Sequence, residues 1–443
     1  QYCLTVNTNP AEVLTLNPSA VSGQGWYYSG TTATVDAVQV VSKVAGQSRY
    51  DFRSWTGATP TGVGNKATVL MNGPKTATAN YQLQYNITFC QTGVGSDFSG
   101  TVVSIDSINY TRATLPVSFW WDNGTSHNFA FKSPLVVTLN AKQYVWNTTS
   151  GLSSSQIGSI TVSTSGSVTG NYKAQYCLTV GNGGHGTATG EGWYYAGSSA
   201  SFSISPTTVS GGTGTQYVFT GWIGSGTGSY TGPDVSHSVT MNNPITETAQ
   251  WKTQYKLTVV SAHDSPVPSV GEHWYDAGTP ITASVTSPAD ESGGTRYRCT
   301  GWTGTGSVPS SGSGTTVNFN INQPSNITWN WIAQYYLTVT SPYGIPGGQD
   351  WYDSGTNAYA TLNTSLVDHG NGTRRVFVKW NGDASGTNYA QSNSILMNGP
   401  KTATAVWKTQ YKLTVRTSGL GTKVTNVYNG SIILGTATDA TPY

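Results

Sequence analysis

The chain has 443 residues, only 9% of them charged, and a formal net charge of +2. Ordinary soluble domains carry about 25% charged residues, so here Gly, Thr, Ser and Asn must cover the surface. With no basic block, neither nucleic acid nor an anionic membrane surface is an expected partner, and no apolar run reaches the roughly twenty residues of a membrane span.

The sequence opens on QYCLTV at residues 1–6. Near copies return at 84–89 (QYNITF), 175–180 (QYCLTV), 254–259 (QYKLTV), 334–339 (QYYLTV) and 410–415 (QYKLTV). A module of roughly eighty residues is therefore written five times and a sixth is begun. The expected divisions are residues 1–83, 84–174, 175–253, 254–333 and 334–409, with a partial repeat at 410–443. Gln1 opens directly on a strand, so the chain reads as a mature or excised product with targeting and anchoring segments outside it. Each module is small and must be supported by its neighbours.

Each repeat has the same order of parts. The opening strand alternates, so that Tyr255, Leu257 and Val259 share one face. An aromatic corner follows (Trp26-Tyr27, Trp120-Trp121, Trp193-Tyr194, Trp274-Tyr275, Trp351-Tyr352) and turns through Gly30, Gly124, Gly197, Gly278 or Gly355. The third strand carries aromatic-x-x-Trp, as in Phe52 to Trp55, Phe219 to Trp222 and Phe377 to Trp380. The fourth carries Met-Asn-Gly-Pro or a variant, with Met71, Met241 and Met397 replaced by Val162 and Ile321 in modules two and four. Aromatics at fixed register are expected to fill the core of each module; sugar binding by exposed ones is the alternative.

Period-two strands, Gly/Pro/Asn turns and the absence of an amphipathic helical window predict an all-β fold. The expected architecture is a linear array of small antiparallel β modules, sandwich or grasp-like, joined by continuous strands. Residues 246–259 and 402–415 contain neither Gly nor Pro, so the last strand of one module is expected to run into the first of the next through 251–259 and 407–415. Fourteen extended residues span about 45 Å. Module two departs from the pattern: it lacks the methionine-proline turn, and Tyr144-Val145-Trp146 matches the third strand loosely.

The opening QYKLTV, the corner Trp-Tyr-Asp-x-Gly (274–278, 351–355), Phe-x-x-Trp-x-Gly (219–224) and Thr-Ala-Thr-Ala-x-Trp (402–407) together resemble the divergent InlB B-repeat family. Module two resembles the companion repeat that accompanies such beads in archaeal surface proteins, including tails of thermopsin-like proteases. The resemblance implies a secreted or cell-surface setting and a spacer or adhesive-stalk role, with no catalytic residues to carry over.

Asn-x-Ser/Thr acceptors for N-glycosylation stand at Asn86, Asn109, Asn123, Asn147, Asn326, Asn363, Asn371 and Asn429, four of them in module two. The four cysteines fall in four different modules, which excludes a bridge within a module. Cys3, Cys90 and Cys177 face outward by strand parity and are candidates for an inter-module or inter-chain disulfide. Cys299 takes the slot of Phe52, Phe219 and Phe377 and reads as a buried free thiol. No catalytic residue, metal ligand or cofactor is expected: nucleophile-elbow, Walker and zinc-protease motifs are missing. The group His263, Asp264, Glu272, His273 and Asp276 reads as loop decoration.

The expected function is that of a structural subunit of an extracellular, glycosylated filament or thread, a homopolymer assembled head to tail from bead rods. The alternatives are a spacer or adhesin stalk of a larger surface protein and the accessory region of a secreted hydrolase. The half-built repeat would expose Leu413, Val415, Ile432 and Leu434, making them candidates for the joint between subunits.

Overall fold

The structure is a computed structural model that describes residues 1–414 and the backbone of residues 425–429 and 432–437. It is nearly all β; among the described residues the helices are a short α-helix at Glu12–Leu16 and a 3-10 turn at Arg112–Thr114. Among the described residues no helix is long and apolar enough to cross a membrane. The chain divides into two compact units, Gln1–Thr207 with Phe219–Trp251, and Thr208–Val218 with Lys252–Tyr443.

In the first unit, the opening strand Tyr2–Asn9 buries Leu4 and Val6 through its alternation. One edge pairs antiparallel with the corner strand Gly25–Tyr27. The other edge pairs in parallel with the start of Lys75–Thr92, Leu4 opposite Lys75. Lys75–Thr92 then pairs antiparallel with Ser48–Thr56. A second sheet, built from Val21–Ser22, Thr32–Ala37, Lys66–Leu70 and Thr59–Pro60, closes the other side. Leu4, Val6, Val35, Trp55, Met71 and Ala79 are among the residues packed into this core.

A closing strand does not stop at its own core. Lys75–Thr92 runs for 18 residues, and its far half gives Ile87 and Phe89 to the next core. Gly166–Gly181 gives Val168 to the second core, and Leu178 and Val180 to the third. In the second unit, Ser325–Thr340 gives Ile327 and Trp329 to one core, and Leu337 and Val339 to another. The strand Ile245–Val260 is continuous through residues 251–259. Each opening strand pairs in parallel with a closing strand, Leu178 opposite Ile245, Leu257 opposite Ser325 and Leu337 opposite Lys401. The modules thus combine small antiparallel sheets with one large mixed sheet.

The stretch 407–415 differs from expectation, because the strand Lys401–Tyr411 ends at Tyr411, whose last partner is Thr373. A strand continues only while a neighbour takes up its backbone hydrogen bonds. The hairpin strands Thr425–Asn429 and Ile432–Ala437 pair with each other. Leu413 is 68% exposed; Val415 and the side chains of Ile432 and Leu434 lie outside the described residues.

The corner glycines do the same work five times. Gly30, Gly124, Gly197, Gly278 and Gly355 have φ between 78° and 89°, a backbone state in which a side chain is strained. Their N–H groups donate to the carbonyls of Met71, Val162, Met241, Ile321 and Met397 at 2.7–2.9 Å, and all five of those side chains are buried. Module two therefore keeps this position without its methionine-proline turn.

The aromatics divide in a way the repeat alone did not reveal. Trp55, Trp222, Trp302 and Trp380 are buried as expected. At the corners the tyrosine turns inward: the hydroxyls of Tyr27, Tyr194 and Tyr352 each donate to a glycine carbonyl at 2.8 Å. Because neighbours on a strand point to opposite faces, the corner tryptophan lies on the outer face, and Trp26 is 69% exposed.

Candidate functional site: the module joint

The arrangement that recurs most closely is a joint, in which a hairpin of one repeat grips the opening strand of the following one. The turn carbonyl of the hairpin receives the N–H of the third residue of QY-x-LTV. In the first unit Asn86 donates to Gln47 (2.8 Å) and Cys177 to Ala141 (3.0 Å). In the second, Lys256 donates to Gly214 (2.9 Å), Tyr336 to Gly294 (2.9 Å) and Lys412 to Gly372 (2.7 Å). A residue at positive φ closes each turn: Gly46, Asn140, Gly214, Gly294 or Gly372.

A side chain two residues beyond then reaches the glutamine that opens QY-x-LTV, each time at 2.8 Å. The Nε of Arg49 donates to Gln84, that of Arg296 to Gln334 and that of Arg374 to Gln410. Gln143 and Gln216 do the same to Gln175 and Gln254 through Nε2. In three joints the glutamine passes the chain on to a corner aspartate: Gln84 to Asp122 (2.9 Å), Gln254 to Asp276 (2.8 Å) and Gln334 to Asp353 (2.8 Å). Arg53, Lys252 and Arg298 complete those carboxylates. The Arg49 and Arg296 guanidinium groups also lie over Trp120 and Trp351, 4.5 and 4.4 Å from the ring centroids. Where Tyr195 replaces the aspartate opposite Gln175, Lys173 lies 5.5 Å over its ring.

The exposed ion pairs contribute little alone, about 0–1 kcal/mol each. The relay matters more because Gln84 and Gln334 are buried, and losing one partner of a buried polar group costs roughly 1–3 kcal/mol. The Arg298 guanidinium holds the Asp353 carboxyl below the usual carboxylate range. Bonds from the Gln254 amide and Lys252 do the same for Asp276. None of these relay residues stands out in the sequence, apart from the recurring corner aspartate and the glutamine ahead of each repeated tyrosine.

Several residues singled out from the sequence have other settings. Asn86 is removed from the accessible glycan acceptors: its Nδ2 donates to the Gly46 carbonyl at 3.0 Å and its Oδ1 is buried. Asn109, Asn123, Asn147, Asn326, Asn363 and Asn371 are exposed, while the Asn429 side chain lies outside the described residues. Cys177, expected to face outward, is buried beneath the turn that bonds its N–H. All four cysteines are free thiols, with Cys3 and Cys90 half-buried. Cys299 is buried, which pushes its thiol pKa up.

The acidic and histidine group of module four is dispersed. His263 bonds Asp290 (2.9 Å) and stacks on Tyr297, Glu272 pairs with Lys256, and His273 bonds the Ser269 carbonyl. Asp264 accepts the N–H of Thr286, and Asp276 belongs to the joint. Among the described residues no three metal-ligating side chains converge.

One repeat carries a recognisable signature. Residues 176–254 match the family model described as the divergent InlB B-repeat domain. No curated protein matches the chain significantly.

The B-repeat contains one core position of unusual chemistry. Glu247 is fully buried where the other repeats place Ala77, Ile327 and Ala403. Its Oε1 accepts the Tyr230 N–H at 2.7 Å, and Oε2 has no hydrogen-bond partner among the described residues. Burial pushes its pKa above the ordinary value of 4.5. A carboxyl raised on folding lends stability that is fully present below the unfolded pKa and lost as pH rises through the folded one. The B-repeat is therefore expected to be more stable at pH 4 than at pH 8 relative to a Glu247→Gln variant, which cannot ionise there. Thermal melts of both proteins across this range check it; parallel pH profiles would exclude a penalty at Glu247.

Proposed function

We propose that the chain is a structural subunit of an extracellular, glycosylated filament or thread that assembles end to end, and that it carries out no covalent chemistry of its own. The observation that supports this reading is the joint, built five times from one turn carbonyl and one glutamine contact. Strand continuity at the joints favours stiffness, since flexible linkers would place Gly/Ser or Pro there. The B-repeat match agrees with a cell-surface setting, and module two is read as the companion repeat of archaeal surface proteins.

Negative-stain images of the secreted protein test the reading. Long uniform fibres are the expected result; isolated particles at every concentration would favour a spacer or adhesin stalk. In this low-charge chain, glycans would supply the surface hydration that charge usually gives. Peptide mass mapping of the secreted protein is expected to find them on Asn109, Asn123 and Asn147 and to find Asn86 bare. Modification at Asn86 with the other three bare would refute that assignment.

A further inference from the structure

Among the described residues asparagine precedes glycine at Asn72, Asn123, Asn182, Asn371, Asn381 and Asn398. Such a pair can rearrange unaided, because glycine has no Cβ to screen its backbone nitrogen. That nitrogen attacks the asparagine side-chain carbonyl carbon, ammonia leaves, and a five-membered imide remains. Water then opens the imide to aspartate or isoaspartate, so the net change is water consumed and ammonia released. Two things oppose the attack: an acceptor that holds the glycine N–H, and hydrogen bonds that pin the side-chain amide.

Four of the six pairs are held. The Gly124 N–H donates to the Val162 carbonyl at 2.7 Å. Asn182 is pinned at both ends, its Oδ1 accepting the Gly184 N–H and its Nδ2 donating to the Gly186 carbonyl, each at 3.0 Å. The Asn371 Oδ1 accepts the Thr373 N–H at 3.1 Å. Asn381 and Gly382 lie in the strand Thr373–Gly382, opposite Thr404 and Ala403.

Asn72 and Asn398 are different. They share one place in the repeat, the turn that follows the buried Met71 and Met397, and both are exposed. Among the described residues neither side-chain amide has a hydrogen-bond partner, and neither does the N–H of Gly73 or Gly399. In the B-repeat the same turn reads Asn242-Asn243-Pro244, where the Asn243 side chain screens the nitrogen.

We propose that Asn72 and Asn398 are sites of spontaneous deamidation, and that the matching turn of the B-repeat resists it. Two conversions raise the acidic residues from 19 to 21 and cancel the formal net charge of +2. The isoelectric point then falls from about 8.2 towards neutrality, and a net charge near zero promotes association.

The test ages the full chain in mildly alkaline buffer and follows its peptides by mass and retention time. Asn72 and Asn398 are expected to convert at least tenfold faster than Asn182 and Asn381, the held pairs that are not glycan acceptors. Each is expected to give two products of equal mass, and isoelectric focusing to show two successive acidic steps. A Cβ at Gly73 meets nothing within 4 Å, so Gly73→Ala is expected to slow Asn72 at least fivefold and leave Asn398 unchanged. Equal rates at all four asparagines would overturn the proposal, because sequence alone would then decide. Aspartate as the single product, or an unchanged Asn72 rate in Gly73→Ala, would overturn the cyclic route. Turns that stay intact while short peptides of the same sequence convert would overturn it as well, since the fold would then be protecting them.

Discussion

Replacing Trp222 by alanine is expected to destabilise the B-repeat by about 3–5 kcal/mol. Trp222 is 1% exposed, its Nε1 donates to the Asp234 carbonyl at 2.9 Å, and its ring meets Phe202 edge-on at 4.9 Å. Truncation would leave a cavity beside Phe202 and Phe219 and also remove the hydrogen bond to the Asp234 carbonyl. Trp26→Ala is the contrast, because that ring is exposed in the single chain, and a change within about 0.5 kcal/mol is expected. Five cores need not unfold in one step, so a global midpoint is a poor readout. Amide hydrogen exchange at Leu178, Phe202 and Met241 reports this core directly. Unchanged protection there in Trp222→Ala would mean that the ring is not a support of the repeat.

The difference between these two tryptophans marks what the sequence could convey. Repetition and period two disclosed the strands, their inward faces and the buried aromatic-x-x-Trp tryptophans, because burial is written into residue type. Neighbour choice is not written that way. An alternating strand presents the same pattern whether its partner is parallel or antiparallel, so the parallel pairing of Leu4 with Lys75 and Leu337 with Lys401 was not foreseen. Strand parity set Cys177 away from its own core, but could not show that the preceding turn covers it. The relay of Arg296, Gln334 and Asp353 uses residue types that a solvated face would also carry. Glu247, lying between two threonines, reads as surface and is core. In each case the missing information is which second element lies against the strand, and that is set by chain segments tens of residues away.

Gly301→Ala is expected to cost module four about 2–4 kcal/mol, the range of a strained backbone state combined with a core clash. Gly301 has φ +122°, and a Cβ added there would stand 1.9 Å from the Gly312 carbonyl oxygen and 2.9 Å from the Ser313 Cα. Those atoms are backbone, so no rotamer change relieves the contact. The Ser311–Gly312 strand would have to move off, breaking its pairing with Trp302 and Thr303. Gly221 repeats the arrangement in the B-repeat, with φ +149° and Gly232 at 2.6 Å. Lys379 occupies the same place before Trp380 in module five and already carries a side chain. Lys379→Ala is therefore expected to change stability by less than about 0.5 kcal/mol. Hydrogen exchange at Leu257 and Ile327 for the first variant, and at Leu337 and Ala403 for the second, separates the two outcomes. Equal loss of protection in both would show that the position matters for its side chain and not for the approach of the Gly312 strand.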